Sequence, residues 1–376
     1  MSPRQDSTKS TQRPLFYVVD WLPPDFGAVG QYATIAARTL ATEGRETYLI
    51  GLTQGPASEV VEPVGSSGGV LTSRRLHARS YEKVRLLRRL LWTVSTDARL
   101  FWALLRNPKS RNADVQFTGS PPFFIYFALL LKILRRARLI YRITDFYPEA
   151  ILAHLGRRPP LLVLLERLTW ALRKRVDFFE ALGEDQRSIL LRGGIPPERI
   201  AIKRDSAPVL VTGREQPAAK PASLAGRKVL LYSGNYGVAH EVETVVEGLA
   251  RHYSDGNARF GLWLNATGQN ADLVEHRLKE LGVPVARTPP VPVDQLPNLL
   301  AAADAHLITL RPEFSGIVLP SKVYACILST RPIIFVGPQS SDVHLLCSRA
   351  SQRYVQVTSG DSAALAKALD DLGIAT

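Results

Sequence analysis

Cysteine is nearly absent from this sequence. Only Cys326 and Cys347 occur, too few for a disulfide framework, which in any case belongs to much smaller chains. A reducing compartment fits that usage. The opening MSPRQDSTKSTQRP has no apolar stretch ahead of a small-residue cleavage site, so residues 1–13 read as a disordered tail and not a secretory signal. A cytoplasmic location is the expectation. Long apolar runs are missing as well. The best of them, PPFFIYFALLLKIL, holds about a dozen apolar positions before Lys132, short of the roughly 20 that a spanning helix needs. It reads as a core helix. Neither a cluster of metal-ligating residues nor an Asp-x-Asp pair is present, so no metal and no other cofactor is expected. A recognition helix after a tight turn and an aromatic-basic sheet motif are both lacking, which argues against a nucleic-acid partner.

What is there suits a globular chain of two domains. The 376 residues are 45% hydrophobic, with 26 glycines and 26 prolines, enough for two separate cores. The formal charge is +13, and all of it lies in the first half. Met1 to Asp205 carries 32 Lys+Arg against 19 Asp+Glu, and Ser206 to Thr376 carries 15 of each. The first half alone is therefore expected to meet something anionic, such as a membrane face or a phosphorylated substrate.

Strand and helix signals alternate along both halves. Leu15-Phe16-Tyr17-Val18-Val19 is a buried-strand run, followed by a glycine-containing loop, the amphipathic YATIAARTLATEG and the strand TYLIGL. That order is the βαβ unit of a doubly wound sheet. It continues through Asp114-Val115-Gln116-Phe117, a helix over 123–134, the strand RLIYRIT and a helix over 160–174. Residues 206–226 lose periodicity and gather Pro, Ala, Gly and Ser, as an interdomain linker does. A second series starts with KVLLYSG and repeats the alternation to AHLITL. The expected domains are 14–205 and 227–376.

Two short stretches carry chemistry. In Tyr232-Ser233-Gly234-Asn235-Tyr236-Gly237 two glycines lie between a strand and a helix, where backbone N–H groups and the helix dipole attract a phosphate. In GIVLPSKVYACILSTRPIIFVG, Gly316 permits close backbone approach, and Pro320 suits a first helical turn. Ser321 and Lys322 bring a hydroxyl and an ammonium to the same place. Together they form an anion site, with Lys322 its centre of charge.

These residues resemble the C-terminal domain of family-4 glycosyltransferases, and the similarity extends to the N-terminal half. Asp25-Phe26-Gly27-Ala28-Val29-Gly30-Gln31 looks like that family's glycine loop, Thr118-Gly119-Ser120-Pro121-Pro122 like its Thr-Ser-Pro-Pro strand end, and Asp145-Phe146-Tyr147-Pro148-Glu149 like its Asp-Leu-Trp-Pro-Glu segment. The branch most resembled builds bacterial exopolysaccharide, capsule and O-antigen chains. The resemblance implies the GT-B fold, two Rossmann-like doubly wound domains facing a central cleft. It implies a retaining transfer from a nucleotide-sugar donor to a glycan acceptor, with no covalent enzyme intermediate, the leaving phosphate taking the acceptor proton.

Carried over by position, Gly234, Asn235, His240, Glu313, Gly316, Ser321 and Lys322 would hold the donor. Asp145 and Glu149 would be the catalytic pair, bonding the acceptor hydroxyl or the donor sugar or acting as a base, and Gly27 and Gly30 would bring backbone close to the donor sugar or acceptor. Many family members have arginine where Asn235 stands and lysine where His240 stands. Here Lys322 is left to compensate, with Arg311 or a protonated His240. Two glutamates common around the Pro-Ser-Lys turn are Ile317 and Ala325 here, and Glu313 is the substitute. An inactive relative or a sugar-nucleotide epimerase is the alternative these departures suggest.

Residues 81–111 mix Leu, Trp and Phe with six arginines and two lysines. Wound as a helix, Leu86, Leu90, Trp92, Phe101, Trp102 and Leu105 would enter a lipid interface while Arg85, Arg88 and Arg89 meet anionic headgroups. A polyprenyl-diphosphate-linked acceptor and a peripheral position on the inner face of the plasma membrane are the matching expectations.

Overall fold

In a computed structural model the chain is described over residues 12–25, 27–66, 68–79 and 86–374. Most of the expected tail, Phe26 and Arg85 lie outside these residues, as do the side chains of Leu86, Arg89 and Leu90.

Two α/β units make up the chain. The first comprises the residues up to Tyr147 with Arg167–Glu180 and Ile195–Ala201; the second comprises Pro148–Glu166, Ala181–Gly194 and the residues from Ile202 onward. The first sheet has eight strands: β1 (Leu15–Trp21), β2 (Thr47–Thr53), β3 (Ser58–Val64), β4 (Gly69–His77), β5 (Asp114–Thr118), β6 (Arg138–Ile143), β7 (Phe178–Ala181) and β8 (Ile200–Ile202), in the order β3-β4-β2-β1-β5-β6-β7-β8. The helices of the first unit are α1 (Ala28–Thr42), α2 (Leu86–Leu105) and α3 (Phe124–Arg135); α4 (Glu149–Leu155) and α6 (Glu184–Arg192) fall in the second unit, and α5 (Pro160–Arg173) is divided between the two.

The interior strands are apolar on both faces because helices cover both sides of a parallel sheet. Leu15 to Val19 are accordingly almost wholly buried. α1 buries Gly30, Ala33, Ala37 and Ala41, small residues at helical spacing. At Gly30 the backbones come close, since a β-carbon there would lie 1.8 Å from the Trp21 carbonyl oxygen. The sequence reading passed over one feature, the antiparallel pairing of β3 with β4.

The second sheet is parallel throughout and runs β11-β10-β9-β12-β13-β14. Its strands are β9 (Lys228–Asn235), β10 (Phe260–Thr267), β11 (Val285–Thr288), β12 (Ala305–Thr309), β13 (Ile333–Val336) and β14 (Tyr354–Val357). The helices are α7 (Glu243–Ser254), α8 (Gln269–Glu280), α9 (Leu296–Ala301), α10 (Lys322–Leu328), α11 (Asp342–Ser348) and α12 (Ser362–Ile374). Leu230, Leu264, Leu307 and Ile334 belong to one buried cluster with Val245, Leu249 and Leu369. Ala207, Val211 and Ala218, from the stretch read as a linker, pack against a second cluster of the same unit.

In each sheet the strand order reverses direction once. The chain leaves β1 for β2 on one side and pairs β5 on the other; likewise β9 leads to β10 on one side and pairs β12 on the other. Ligands of open α/β sheets bind beyond the carboxyl ends of the strands at such reversals.

Candidate active site

In the second unit, β9 ends at Gly234-Asn235, β12 ends at Thr309, and Lys322 opens α10. Gly234 has φ of 113°, a conformation glycine adopts without strain. A β-carbon there would meet only the Lys322 side chain, 3.9 Å from its Nζ. The Lys322 ammonium lies 3.1 Å from the centroid of the Tyr232 ring, and Nζ is buried without a hydrogen-bond partner among the described residues. Burial therefore holds its pKa well below the ordinary lysine value. A cation seated on an aromatic face and aimed at a strand-end glycine is prepared for an anion that supplies the missing charge.

His240 lies beside this group. Its Nδ1 is 2.7 Å from the Thr309 carbonyl oxygen, and its ring meets those of Tyr232 and Tyr236 edge-on, at 5.6 Å from each. Burial first, and the Lys322 charge second, push its pKa down to about 3. The expected protonated His240 is thus corrected: next to a buried cation, the imidazole stays neutral. Arg311 is engaged too, with Nε 3.5 Å from Glu313 and a guanidinium nitrogen 3.3 Å from the Val238 carbonyl oxygen.

The remaining donor candidates fall around this core. Ser321 is the N-cap residue of α10 and makes no side-chain cap bond. Asn235 is exposed at the end of β9. Gly316 has φ of 73°, and a β-carbon on it would meet the Ile189 side chain at 2.8 Å and the Asp185 carbonyl oxygen at 3.1 Å. Its missing side chain therefore makes room for α6. Glu149, the first residue of α4, belongs to the second unit, where it lines a cavity of about 250 Å³ with Glu313, Ile317, Arg157 and Glu166. Sequence reading missed Tyr232 and Thr309. A tyrosine in a buried strand reads as core, and its service to Lys322 depends on a residue 90 positions away.

The first unit gathers carboxyl groups at its own reversal. Asp20, near the end of β1, accepts a hydrogen bond from the Ser120 hydroxyl just beyond β5. Asp145 follows β6, and Asp97 on α2 is wholly buried. Neither Asp97 oxygen nor Asp20 Oδ1 has a hydrogen-bond partner among the described residues. Burial raises all three acids: Asp20 to about 6, Asp97 to about 8 and Asp145 to about 7. The Asp20 charge adds to the rise in the other two. Only Asp145 had been singled out from the sequence, because Asp20 and Asp97 match no local motif. Gly27, before α1, is extended and has only ordinary contact with Trp21.

On α2, Trp92 stacks on Trp21 at 6.0 Å and donates to the Arg79 carbonyl, so it faces protein. Phe101 is buried against Phe127, which corrects its placement at a lipid interface. Arg88 and Trp102 are exposed. No described helix is long and apolar enough to cross a membrane.

Two Rossmann-like units with parallel sheets are the architecture of GT-B glycosyltransferase structures. Sucrose-phosphate synthase from Thermosynechococcus elongatus superposes on 96% of this chain and 92% of its own, with a TM-score of 0.65 and 14% identity. HepE from Anabaena, in complex with UDP-glucose, matches 95% of this chain and 89% of its own, with a TM-score of 0.62 and 11% identity. In sequence, the chain is 22% identical over 373 residues to the probable glycosyltransferase WbjE of Pseudomonas aeruginosa, covering 95% of this chain and 89% of that protein. No protein-family model matches the chain.

Proposed function

We propose that this protein is a retaining glycosyltransferase of the family-4 type, moving a sugar from a nucleotide-sugar donor to a lipid-linked glycan in bacterial surface-polysaccharide assembly. The observation that carries the reading is Lys322, whose buried Nζ has no hydrogen-bond partner among the described residues and sits on the Tyr232 ring at the strand reversal of the second unit. Departure of a nucleoside diphosphate builds negative charge on its β-phosphate oxygens. Lys322, protonated when the diphosphate supplies its counter-charge, stabilises that charge at a position fixed in advance. In the first unit Asp145 accepts a hydrogen bond from the acceptor hydroxyl. WbjE's name and the UDP-glucose held by HepE support the donor class and put UDP first among the bases.

Calorimetric titration with UDP, GDP and ADP tests this. UDP is expected to bind most tightly, and the matching UDP-sugars to release UDP when a glycan acceptor is added. Failure of all three nucleotides to bind would reject the donor assignment. Binding without turnover on any donor would favour an inactive relative, the second reading that a neutral His240 motivates.

The membrane role moves along the fold from its expected place. On α2 Arg88, Leu91, Val94, Arg99 and Trp102 are exposed, with Arg106 exposed just past its end, and neighbouring α3 exposes Leu130, Ile133 and Leu134 beside Arg136. Arg74, Arg99 and Arg106 line a cavity of about 290 Å³ with Trp102. An apolar surface edged with guanidinium groups suits anionic lipid. The protein is expected to co-sediment with phosphatidylcholine vesicles only when phosphatidylglycerol is included, and Trp102→Ala to weaken that binding several-fold. Equal sedimentation with both vesicles, or with neither, would remove the membrane from the proposal.

A further inference from the structure

Asp145 lies just past β6, and a single turn explains how it is held. Thr118-Gly119-Ser120 closes β5, which lies between β1 and β6 in the sheet. A β-carbon on Gly119 would sit 2.3 Å from the Asp145 carbonyl oxygen and 2.8 Å from its amide nitrogen. The bare glycine thus lets the turn lie directly against the Asp145 backbone. Ser120 donates its hydroxyl to Asp20 Oδ2, and the Thr118 hydroxyl donates to the Ser120 carbonyl. One turn therefore holds the Asp20 carboxyl by a hydrogen bond and packs against the Asp145 backbone, at the reversal of the sheet.

We infer that Asp20 is a positioning residue for Asp145: through this turn and through its own negative charge, it fixes the place and the protonation state of the carboxyl that meets the acceptor hydroxyl. The inference rests on the acceptor role proposed above for Asp145. The charged groups around the pair come from several elements. Asp97 of α2 interacts with Asp20. Arg142 of β6 is paired with Glu180 at 3.0 Å. Arg173 of α5 lies over the Phe146 and Trp170 rings and donates to the Tyr147 carbonyl.

Asp20 ionises first, with its pKa at about 6, and its charge then opposes loss of the Asp145 proton, whose pKa is about 7. Near neutral pH Asp20 is thus an anion while Asp145 is divided between its two forms. Ionised Asp145 accepts the acceptor hydroxyl's hydrogen bond and orients it; protonated Asp145 does not. Transfer should therefore fall as the pH drops through about 7.

Asp20→Asn separates charge from structure, because the amide oxygen still accepts the Ser120 hydroxyl. Carboxyl ¹³C NMR titration, with Asp145 assigned from Asp145→Asn, should show a midpoint near 7 in the wild type. In Asp20→Asn that midpoint should move down by roughly half a pH unit or more, the burial contribution remaining. The acid limb of kcat should move with it. Asp97→Asn should leave the Asp145 midpoint in place, since Asp97, with its pKa at about 8, is mostly neutral at that pH. Ser120→Ala cuts the tie and removes a hydrogen bond that lowers the Asp20 pKa, so it should lower kcat several-fold with the Asp145 midpoint unchanged or moved down, never up; it serves as the test should Asp20→Asn fail to fold. An Asp145 midpoint unmoved by loss of the Asp20 charge, or a kcat untouched by Ser120→Ala, would overturn the inference. If no nucleotide sugar turns over, the glycosyltransferase reading fails instead, and the NMR titration still decides whether Asp20 governs Asp145.

Discussion

Lys322→Met is expected to lower nucleotide-sugar turnover by about a hundred- to a thousand-fold, the usual cost of removing one preorganised donor to a developing anion. The same variant should unfold at higher denaturant, with a gain on the order of 1 kcal/mol. The two effects have one cause. Burial without a partner disfavours the ammonium, so the free protein is strained at the position that binding relieves. A diphosphate restores the missing counter-charge and raises the Lys322 pKa, and binding then takes up a proton. The sign follows directly: above the depressed pKa of the free protein, nucleotide affinity falls as pH rises, by at most about tenfold per pH unit. Calorimetry of UDP binding in buffers of different ionisation enthalpy measures that uptake, which Lys322→Met should abolish. A variant that loses stability along with activity would mark Lys322 as a packing residue; one that keeps nucleotide affinity would empty the site of its main role.

The anion site was legible in the sequence because its parts are local. A glycine between strand and helix and a Pro-Ser-Lys turn are each contained in a few residues, and the alternation around them gives the doubly wound order. What remained hidden depends on pairing across the chain. Tyr232 supports Lys322 only because β9 lies beside β12. Asp20 meets Ser120 only because β1 lies beside β5. The β3–β4 hairpin was missed because its strands, SEVVEPV and GVLTSRRLH, mix charge with β-branched residues and lack the helix-separated rhythm of the rest. On α2 the apolar pattern itself misled. Leucines and tryptophans were assigned one face, yet Thr93, Thr96 and Asp97 are buried while Leu91 and Val94 are exposed.

That inversion makes Asp97→Asn the other substitution of large effect, and here the expected change is a gain. Asp97 is wholly buried with neither oxygen hydrogen-bonded among the described residues, and the nearby Phe123 amide offsets only part of the burial that raises its pKa to about 8. In the unfolded chain an aspartate ionises near its ordinary value of about 3.9. Below that pH both states are protonated and the group does not disfavour folding. As pH rises, the unfolded chain ionises first, and stability is lost progressively until the folded pKa is reached. A separation of about four pH units corresponds to an upper limit of roughly 5 kcal/mol; a buried amide without partners returns about 1–3 kcal/mol of that. Asp97→Asn should therefore stabilise the first unit by about 2 kcal/mol at pH 7.5 and give no gain at pH 4. Tryptophan fluorescence suits the measurement, since Trp21, Trp92, Trp102 and Trp170 belong to the first unit and only Trp263 to the second. Equal gains at both pH values would mean that packing, not charge, decides the outcome. A loss at pH 7.5 would mean that the Asp97 carboxylate is stabilised by a partner in solution, and the acid cluster at the first sheet reversal would need a different electrostatic account.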